Sequence, residues 1–314
     1  MQGKLVTVFG GSGFIGRHVV LRLARAGARV RVAVRRPNEA LFLKPMGAVG
    51  QIQLMQANVR HAPSVAAAVA GADAVVNLVG ILHEAGPQKF AAVQGEGAEN
   101  IARAAAAAGV KTLIHVSAIG ADARSPSKYA RSKATGEAAV RQAFPQAVIL
   151  RPSIVFGPDD NFFNRFASMI KLVPAVPLIG GDTRFQPVYV ADVADAIMAA
   201  LTDPAAAGET FELGGPKTYT FRELLTYIMD QIEVRRPLLP LPFGLAKFVA
   251  LFSQILPNPP LTVDQVKLLA VDNVVSGNAK TLADLKLTPT PVQAIVPQYL
   301  RRYHRLGEFS SPVG

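Results

Sequence analysis

Apolar and polar positions along the first half of the chain alternate between two rhythms. Compact apolar runs that read as buried strands occur at "KLVTVFG", "RVRVAVRR", "IQLMQANV", "ADAVVNLVG", "KTLIHVSAIG" and "AVILRPSIVFG". Between them lie segments with helical spacing, "FIGRHVVLRLARAG" ending at Gly27, then "APSVAAAVAGA" and "GAENIARAAAAAGV". Strand and helix in strict turn predict an α/β fold, a doubly wound parallel sheet with helices on both faces. After Pro152 the rhythm breaks and Pro and Gly become frequent. "RFQPVYVADVADAIMAALTDP" predicts a short strand and a helix with Asp192 as N-cap, and "ETFELGGP" another strand. From residue 220 the pattern gives helices joined by Pro-rich turns. The expected division is a first domain over 1–151, with 185–214 returning to it, and a smaller, partly interleaved C-terminal lobe over 152–314. No internal repeat or coiled-coil heptad interrupts this.

One segment departs from amphipathic spacing. "FGLAKFVALFSQIL", residues 243–256, is apolar but for Lys247, Ser253 and Gln254. At ~1.5 Å per residue it reaches about 21 Å, short of a bilayer. A buried helix, a helix docked on a partner and an interfacial helix against lipid all fit it. No apolar run elsewhere reaches the ~18–20 residues of a membrane span. The strand pattern begins almost at the first residue, which is read as leaving no room for a signal or transit peptide.

Composition narrows the chemistry. With 314 residues, half of them hydrophobic and 18% charged, the chain buries a large core. It contains no cysteine, so disulfides and thiolate chemistry are excluded. The five histidines (His18, His61, His83, His115, His304) are scattered without metal-ligand spacing, so no metal is expected. The formal charge of +11 raises a nucleic-acid reading. The basic residues are spread along the chain with no nucleic-acid motif, so no nucleic acid is expected. An anionic cofactor, an anionic membrane surface or an acidic partner accounts for the charge, and the basic "YLRRYHRLGEF" tail would suit either of the last two.

Candidate chemistry begins at "VFGGSGFIGRHVV". Gly10, Gly11, Gly13 and Gly16 stand between the first strand and the first helix, satisfying G-x-G-x-x-G and G-x-x-G-x-x-G together. Glycines there permit a tight turn and close backbone approach, and the helix N-terminus offers free N–H groups to a pyrophosphate. The first domain is therefore expected to be a dinucleotide-binding Rossmann domain, with Gly10, Ser12, Gly13, Phe14, Ile15 and Gly16 at the phosphates. The second strand ends in Arg35 and Arg36, with no acid before Glu39. A missing carboxylate and a guanidinium suited to phosphate predict NADPH (NADP) as the cofactor, a solvated strand end being the plain alternative. Asn58 and Val59 are candidates beside the adenine, and Leu78, Val79 and Gly80 beside the cofactor.

"SKYARSK" places Tyr129 and Lys133 one helical turn apart on one face. An ammonium beside a phenol favours the phenolate, so the pair is either an acid/base couple or part of a binding site.

With the glycine turn, "YARSK" and "LRPSIVFGP" together, the chain resembles the extended short-chain dehydrogenase/reductase superfamily. The resemblance implies Tyr129 as the acid/base, Lys133 lowering its pKa and holding the nicotinamide ribose, and Pro152 and Ser153 along the nicotinamide. Ser117 follows the fifth strand, but Ala118 and Ile119 occupy the region where the superfamily's catalytic hydroxyl falls, and the loop to Tyr129 is short. "FGGSGFIGRHVV", "QANVR", "YARSKATGEAAVRQAFPQAVILRPSIVFGPDDNFFNRFASM", "RFQPVYVADVADAI", "PLPLPFGLAKF" and "PPLTVDQVKLLAVDNVV" are similar to an atypical branch of it. That branch is the NADPH-binding accessory subunit of respiratory complex I and its bacterial relatives. The similarity implies tight NADPH binding without an established substrate. It also implies complex I subunits as partners, possible contact with an anionic membrane surface, and a peripheral place on the cytoplasmic side of the bacterial inner membrane. An active NADPH-dependent reductase or epimerase, and a sensor of the NADPH/NADP ratio, remain alternatives.

Overall fold

The structure is a computed structural model that describes residues 1–253 and 261–304. The chain runs β1 (Leu5–Phe9), α1 (Phe14–Arg25), β2 (Arg29–Val34), β3 (Ile52–Gln56), α2 (Ala62–Val69), β4 (Ala74–Asn77), α3 (Glu96–Ala107), β5 (Thr112–Val116), α4 (Lys128–Ala143) and β6 (Val148–Pro152). It continues through β7 (Val155–Phe156), α5 (Phe163–Leu172), β8 (Val176–Leu178), β9 (Arg184–Phe185), β10 (Val188–Tyr189) and α6 (Val190–Thr202) to β11 (Thr210–Leu213). The remainder holds β12 (Tyr219–Thr220), α7 (Phe221–Gln231), β13 (Leu238–Pro240), α8 (Phe243–Ser253), α9 (Val263–Leu268) and α10 (Val292–Leu300).

The expected doubly wound sheet is present. Seven parallel strands lie in the order β11-β6-β5-β4-β1-β2-β3. Every residue of β4 is buried, as a central parallel strand covered on both faces requires. On one face Phe9, Ala33, Val75 and Leu113 pack with Val65 of α2, Ile101 of α3 and Val140 of α4. Elsewhere in this unit α1 packs on α6, and Arg22 Nε reaches Asp195 Oδ1 at 2.6 Å. The register pairs Phe9 with Ala33 on one side and with Asn77 on the other. The carboxyl ends of β1, β2 and β4 therefore lie level, and the loops leaving them share one edge of the sheet.

Two compact units divide the chain. The first comprises Met1–Pro152, Val190–Leu213 and Ser276–Thr288, and the second comprises Ser153–Tyr189, Gly214–Val275 and the chain from Pro289. The division differs in detail from the hydrophobic pattern. Residues 184–189 stay in the second unit because β9 and β10 pair with β12 and β7, not with the large sheet. Conversely, Ser276–Thr288 joins the first unit: Glu212 N–H donates to Lys280 O at 2.8 Å, and Ser276 N–H donates to Glu212 Oε2 at 2.8 Å. Asp192 is not the N-cap of α6. The helix already begins at Val190, so Asp192 is buried in its first turn.

The second unit has its own core, in which Phe156, Phe163, Phe185, Phe221, Leu224 and Leu225 are buried together. Thr220 and Glu223 close a capping box that starts α7. Of the apolar segment 243–256, α8 accounts for Phe243–Ser253, and 254–256 lie outside the described residues, as does the tail from 305. Ala246 and Ala250 are buried with Ile179 and Val266, with Phe243 packed against them, while Leu245, Phe248, Val249, Leu251 and Phe252 are exposed.

Candidate functional site

The glycine turn is built by backbone contact. Gly10 has φ +77°, the left-handed region, and a Cβ there would lie 3.2 Å from Leu78 C and 3.3 Å from Val79 N. Gly13 N–H donates to Gly10 O at 3.0 Å, and a Cβ on Gly16 would strike Gly10 O and the Gly11 backbone. Only a chain without side chains at these points lets β1 turn into α1 beside the β4 loop. The helix then opens at Phe14 with no side-chain cap. Its first N–H groups and positive dipole end, beside half-buried Ser12, Phe14 and Ile15, therefore suit a pyrophosphate.

Adjoining strand ends carry the remaining candidates. Arg35 and Arg36 are exposed just past β2. Arg36 binds Glu39 at 2.8 Å, so the nearest carboxylate is already engaged, whereas Arg35 has no ion pair among the described residues. Past β3, Asn58 Oδ1 accepts the Arg60 N–H at 3.1 Å, and Val59 is buried against Gly97 of α3. Leu78 and Val79 sit against Gly10. A Cβ on Gly80 would be 3.3 Å from Lys133 Nζ.

α4 supplies the Tyr-x-x-x-Lys pair. Ser127 caps the helix by accepting the Ala130 N–H at 3.2 Å. Lys133 is 5% exposed, donates to Val116 O at 3.3 Å and lies 5.9 Å from the Tyr129 ring centroid. Burial pulls its ammonium down to about 8, partly offset by Glu137 one turn further on. Glu137 is held by Arg151 at 2.6 Å. Burial also pushes the Tyr129 phenol up to about 12. This reverses the expectation that the neighbouring ammonium favours the phenolate, because loss of solvent outweighs the cation. The phenol stays protonated at neutral pH, a hydrogen-bond donor and a weak acid.

Ser117 follows β5 directly, and its buried Oγ has no hydrogen-bond partner among the described residues. An orphaned buried hydroxyl close behind Val116, whose carbonyl holds Lys133, fits a polar ligand at this edge. Pro152 is buried at the end of β6, and its carbonyl accepts the Ile119 N–H at 3.0 Å. Ser153 is the first residue of the second unit, where its hydroxyl donates to Asn273 Oδ1 at 2.7 Å. The first unit thus gathers Gly10, Leu78, Val79, Gly80, Lys133 and Ser117, while Arg35 and Arg36 occupy the neighbouring strand end.

Sequence reasoning missed Gln94. It lies on a π-helical turn, Ala91–Gly95, where its side chain donates to Ile81 O at 2.9 Å and accepts from Ser132 Oγ at 2.6 Å. Gly136, in mid-helix three residues after Lys133, admits the Gln94 carbonyl where a Cβ would collide. A glycine inside a helix is the signal of such an approach.

A parallel sheet of this order, a glycine turn at its switch edge and a Tyr-x-x-x-Lys helix with its lysine buried define a dinucleotide-binding protein of the short-chain dehydrogenase type. The chain belongs to the NAD dependent epimerase/dehydratase family, whose sequence model matches residues 6–214. It is 38% identical over 100% of its length to the NADH dehydrogenase [ubiquinone] 1 alpha subcomplex subunit 9, mitochondrial, of Arabidopsis thaliana, covering 81% of that protein. The Mus musculus protein of the same name is 37% identical, with 100% of this chain and 84% of the relative covered. Among solved structures, the Citrobacter sp. triphenylmethane reductase complexed with NADP(H) superposes with TM-score 0.75 at 19% identity, over 94% of this chain and 99% of that one. The Streptomyces venezuelae dTDP-glucose 4,6-dehydratase with NAD bound gives 0.73 at 21% identity, over 95% and 96%. At these identities the two structures support the shared fold.

The pKa directions yield a stability profile. Lys133 titrates near 8 when folded and near 10.5 when unfolded, so the unfolded chain binds more protons between those values and stability rises with pH there. Tyr129 titrates near 12 folded against 10.0 unfolded, so its contribution falls above pH 10. Urea titrations of the nucleotide-free protein should show stability rising by roughly 2 kcal/mol from pH 8 to 10. Lys133→Met should flatten that rise.

Proposed function

We propose that this chain is an NADPH-binding accessory subunit of respiratory complex I that does not turn over a substrate. The observation that carries the reading is the likeness, over the whole chain, to the plant and mouse subunits of that enzyme. The local chemistry supports the absence of turnover. Tyr129 is held as a protonated phenol and Lys133 is buried against a carbonyl, an arrangement that favours gripping a nucleotide over moving a proton. Arg35 supports NADPH over NADH: it is exposed at the β2 end, and the next acid along the chain, Glu39, is taken by Arg36.

The reading includes a peripheral place on the cytoplasmic side of the bacterial inner membrane. No described helix is long and apolar enough to cross a bilayer. α8 supports a surface contact instead: Leu245, Phe248, Val249, Leu251 and Phe252 are each at least 48% exposed, and the two phenylalanine rings stack edge-on at 5.0 Å. Between Val234 and Ser253 the chain carries Arg235, Arg236 and Lys247 and no acid. An apolar face within a cationic segment suits anionic lipid.

Three outcomes test these statements. Affinity purification from gently solubilised membranes should bring down the core subunits of complex I; recovery only as a free species would refute the assignment. Arg35→Asp should weaken NADPH binding more than tenfold while changing NADH binding far less; equal losses would remove Arg35 from the 2′-phosphate. The purified chain should sediment with vesicles containing anionic phospholipid and much less with zwitterionic ones, and the double variant Phe248→Asp, Phe252→Asp should stay in solution.

A further inference from the structure

Asn77 of β4 and His115 of β5 stand opposite one another in the sheet register, and each is only 2% exposed. Asn77 immediately precedes the Leu78–Gly80 segment, and His115 carries none of the chemistry read from the sequence. Their hydrogen bonds leave one arrangement. Asn77 Oδ1 accepts the Val79 N–H at 3.0 Å, and because a backbone N–H only donates, this contact fixes which end of the carboxamide is oxygen. The Nδ2 group is then left facing His115 Nδ1 at 3.0 Å. An amide NH2 also only donates, so Nδ1 must accept. Burial, with the Lys133 charge adding to it, pushes the imidazolium down to about 3, so the ring is neutral. A neutral ring with a bare Nδ1 carries its proton on Nε2, which is buried with no hydrogen-bond partner among the described residues.

The consequence runs outward to the glycine turn. Val79 N, which Asn77 holds, lies 3.3 Å from the Cβ position of Gly10, and Leu78 C lies 3.2 Å from it. The loop leaving β4 can press this closely on the turn only while its backbone is pinned. We propose that His115, as its Nε2–H tautomer, is a positioning residue for the dinucleotide cradle: it orients Asn77, which fixes the Leu78–Val79 backbone against Gly10. The inference rests on the dinucleotide reading of this site and is independent of the complex I assignment. It gives a role to a histidine buried in mid-sheet. A ring with one nitrogen that accepts and never titrates near neutral pH orients the amide under all physiological conditions.

Two measurements on the full-length protein test it. Long-range 1H–15N correlation spectra of the histidine rings read the tautomer directly, and His115 should show protonated Nε2 and bare Nδ1; a protonated Nδ1 overturns the proposal. His115→Leu removes the acceptor and should weaken NADPH and NADH binding alike by about tenfold, the cost of stranding one buried donor. His115→Asn places an oxygen where Nδ1 stands and should restore affinity to within about threefold of wild type. A leucine variant that binds like wild type, or an asparagine variant no better than leucine, overturns it. If His115→Leu does not fold, the wild-type spectrum decides alone. A wild-type chain that binds neither dinucleotide refutes the cofactor reading, whereas intact wild-type binding with an indifferent leucine variant refutes only the role of His115.

Discussion

The close approach of the Gly10 backbone to Leu78 and Val79 is the constraint around which the first unit is arranged. A left-handed residue at the end of β1 lets the chain turn sharply into α1 and leaves no volume for a side chain against the β4 loop. Once those two backbones touch, the N-terminus of α1 is aimed along the sheet edge, where the level ends of β1, β2 and β4 open their loops. Gly13 and Gly16 then follow by necessity, since each packs on the Gly10 carbonyl. The anion-binding capacity of the turn is a by-product of this packing, because a helix that starts with no side-chain cap presents its N–H groups.

Beneath the turn lies a layer of buried polar groups that a purely apolar core would not tolerate. Most are satisfied in pairs: Asn77 with His115, Gln94 with Ser132, Glu137 with Arg151. A half-satisfied network is costly, so these pairs stand or fall together. Exceptions among the described residues are the unpartnered Ser117 Oγ and His115 Nε2, and Lys133, which is held loosely. Among the described residues the Lys133 hydrogen bond is to one carbonyl at 3.3 Å, long for a charged donor, and its ammonium is disfavoured by burial. Glu137 offsets part of that cost but is itself committed to Arg151, which also reaches Glu212 at 3.6 Å. A buried cation held so loosely fits a group whose better partner comes from outside the chain.

Strand and helix order, the glycine turn and the Tyr129–Lys133 face were legible in the sequence because each rests on short-range periodicity. The large sheet is parallel and buried, so its strands announce themselves as apolar runs. What escaped were features decided by long-range pairing. The place of residues 184–189 depends on β9 and β10 finding β12 and β7, which no local pattern reveals. Ser276–Thr288 belongs to the first unit through hydrogen bonds to Glu212, again a contact across distant sequence. Gln94 was invisible as a site residue because its role is made by a π turn and by the gap that Gly136 leaves for it across distant sequence. His115 read as one scattered histidine among five, since only the register opposite Asn77 gives it work.

The sign of the Tyr129 shift bears on what the site does. In an aqueous cleft an ammonium near a phenol stabilises the phenolate, and the pair is ready for proton transfer. Here desolvation acts on both partners in the direction of neutrality: the phenol rises to about 12 and the ammonium falls to about 8. The same burial that tightens the layer around Lys133 therefore works against acid/base chemistry at Tyr129. A neutral phenol donates a hydrogen bond without a competing counter-charge, and a desolvated cation binds an incoming polar group more strongly than a hydrated one. Burial at this turn of α4 thus favours holding a polar group over transferring a proton.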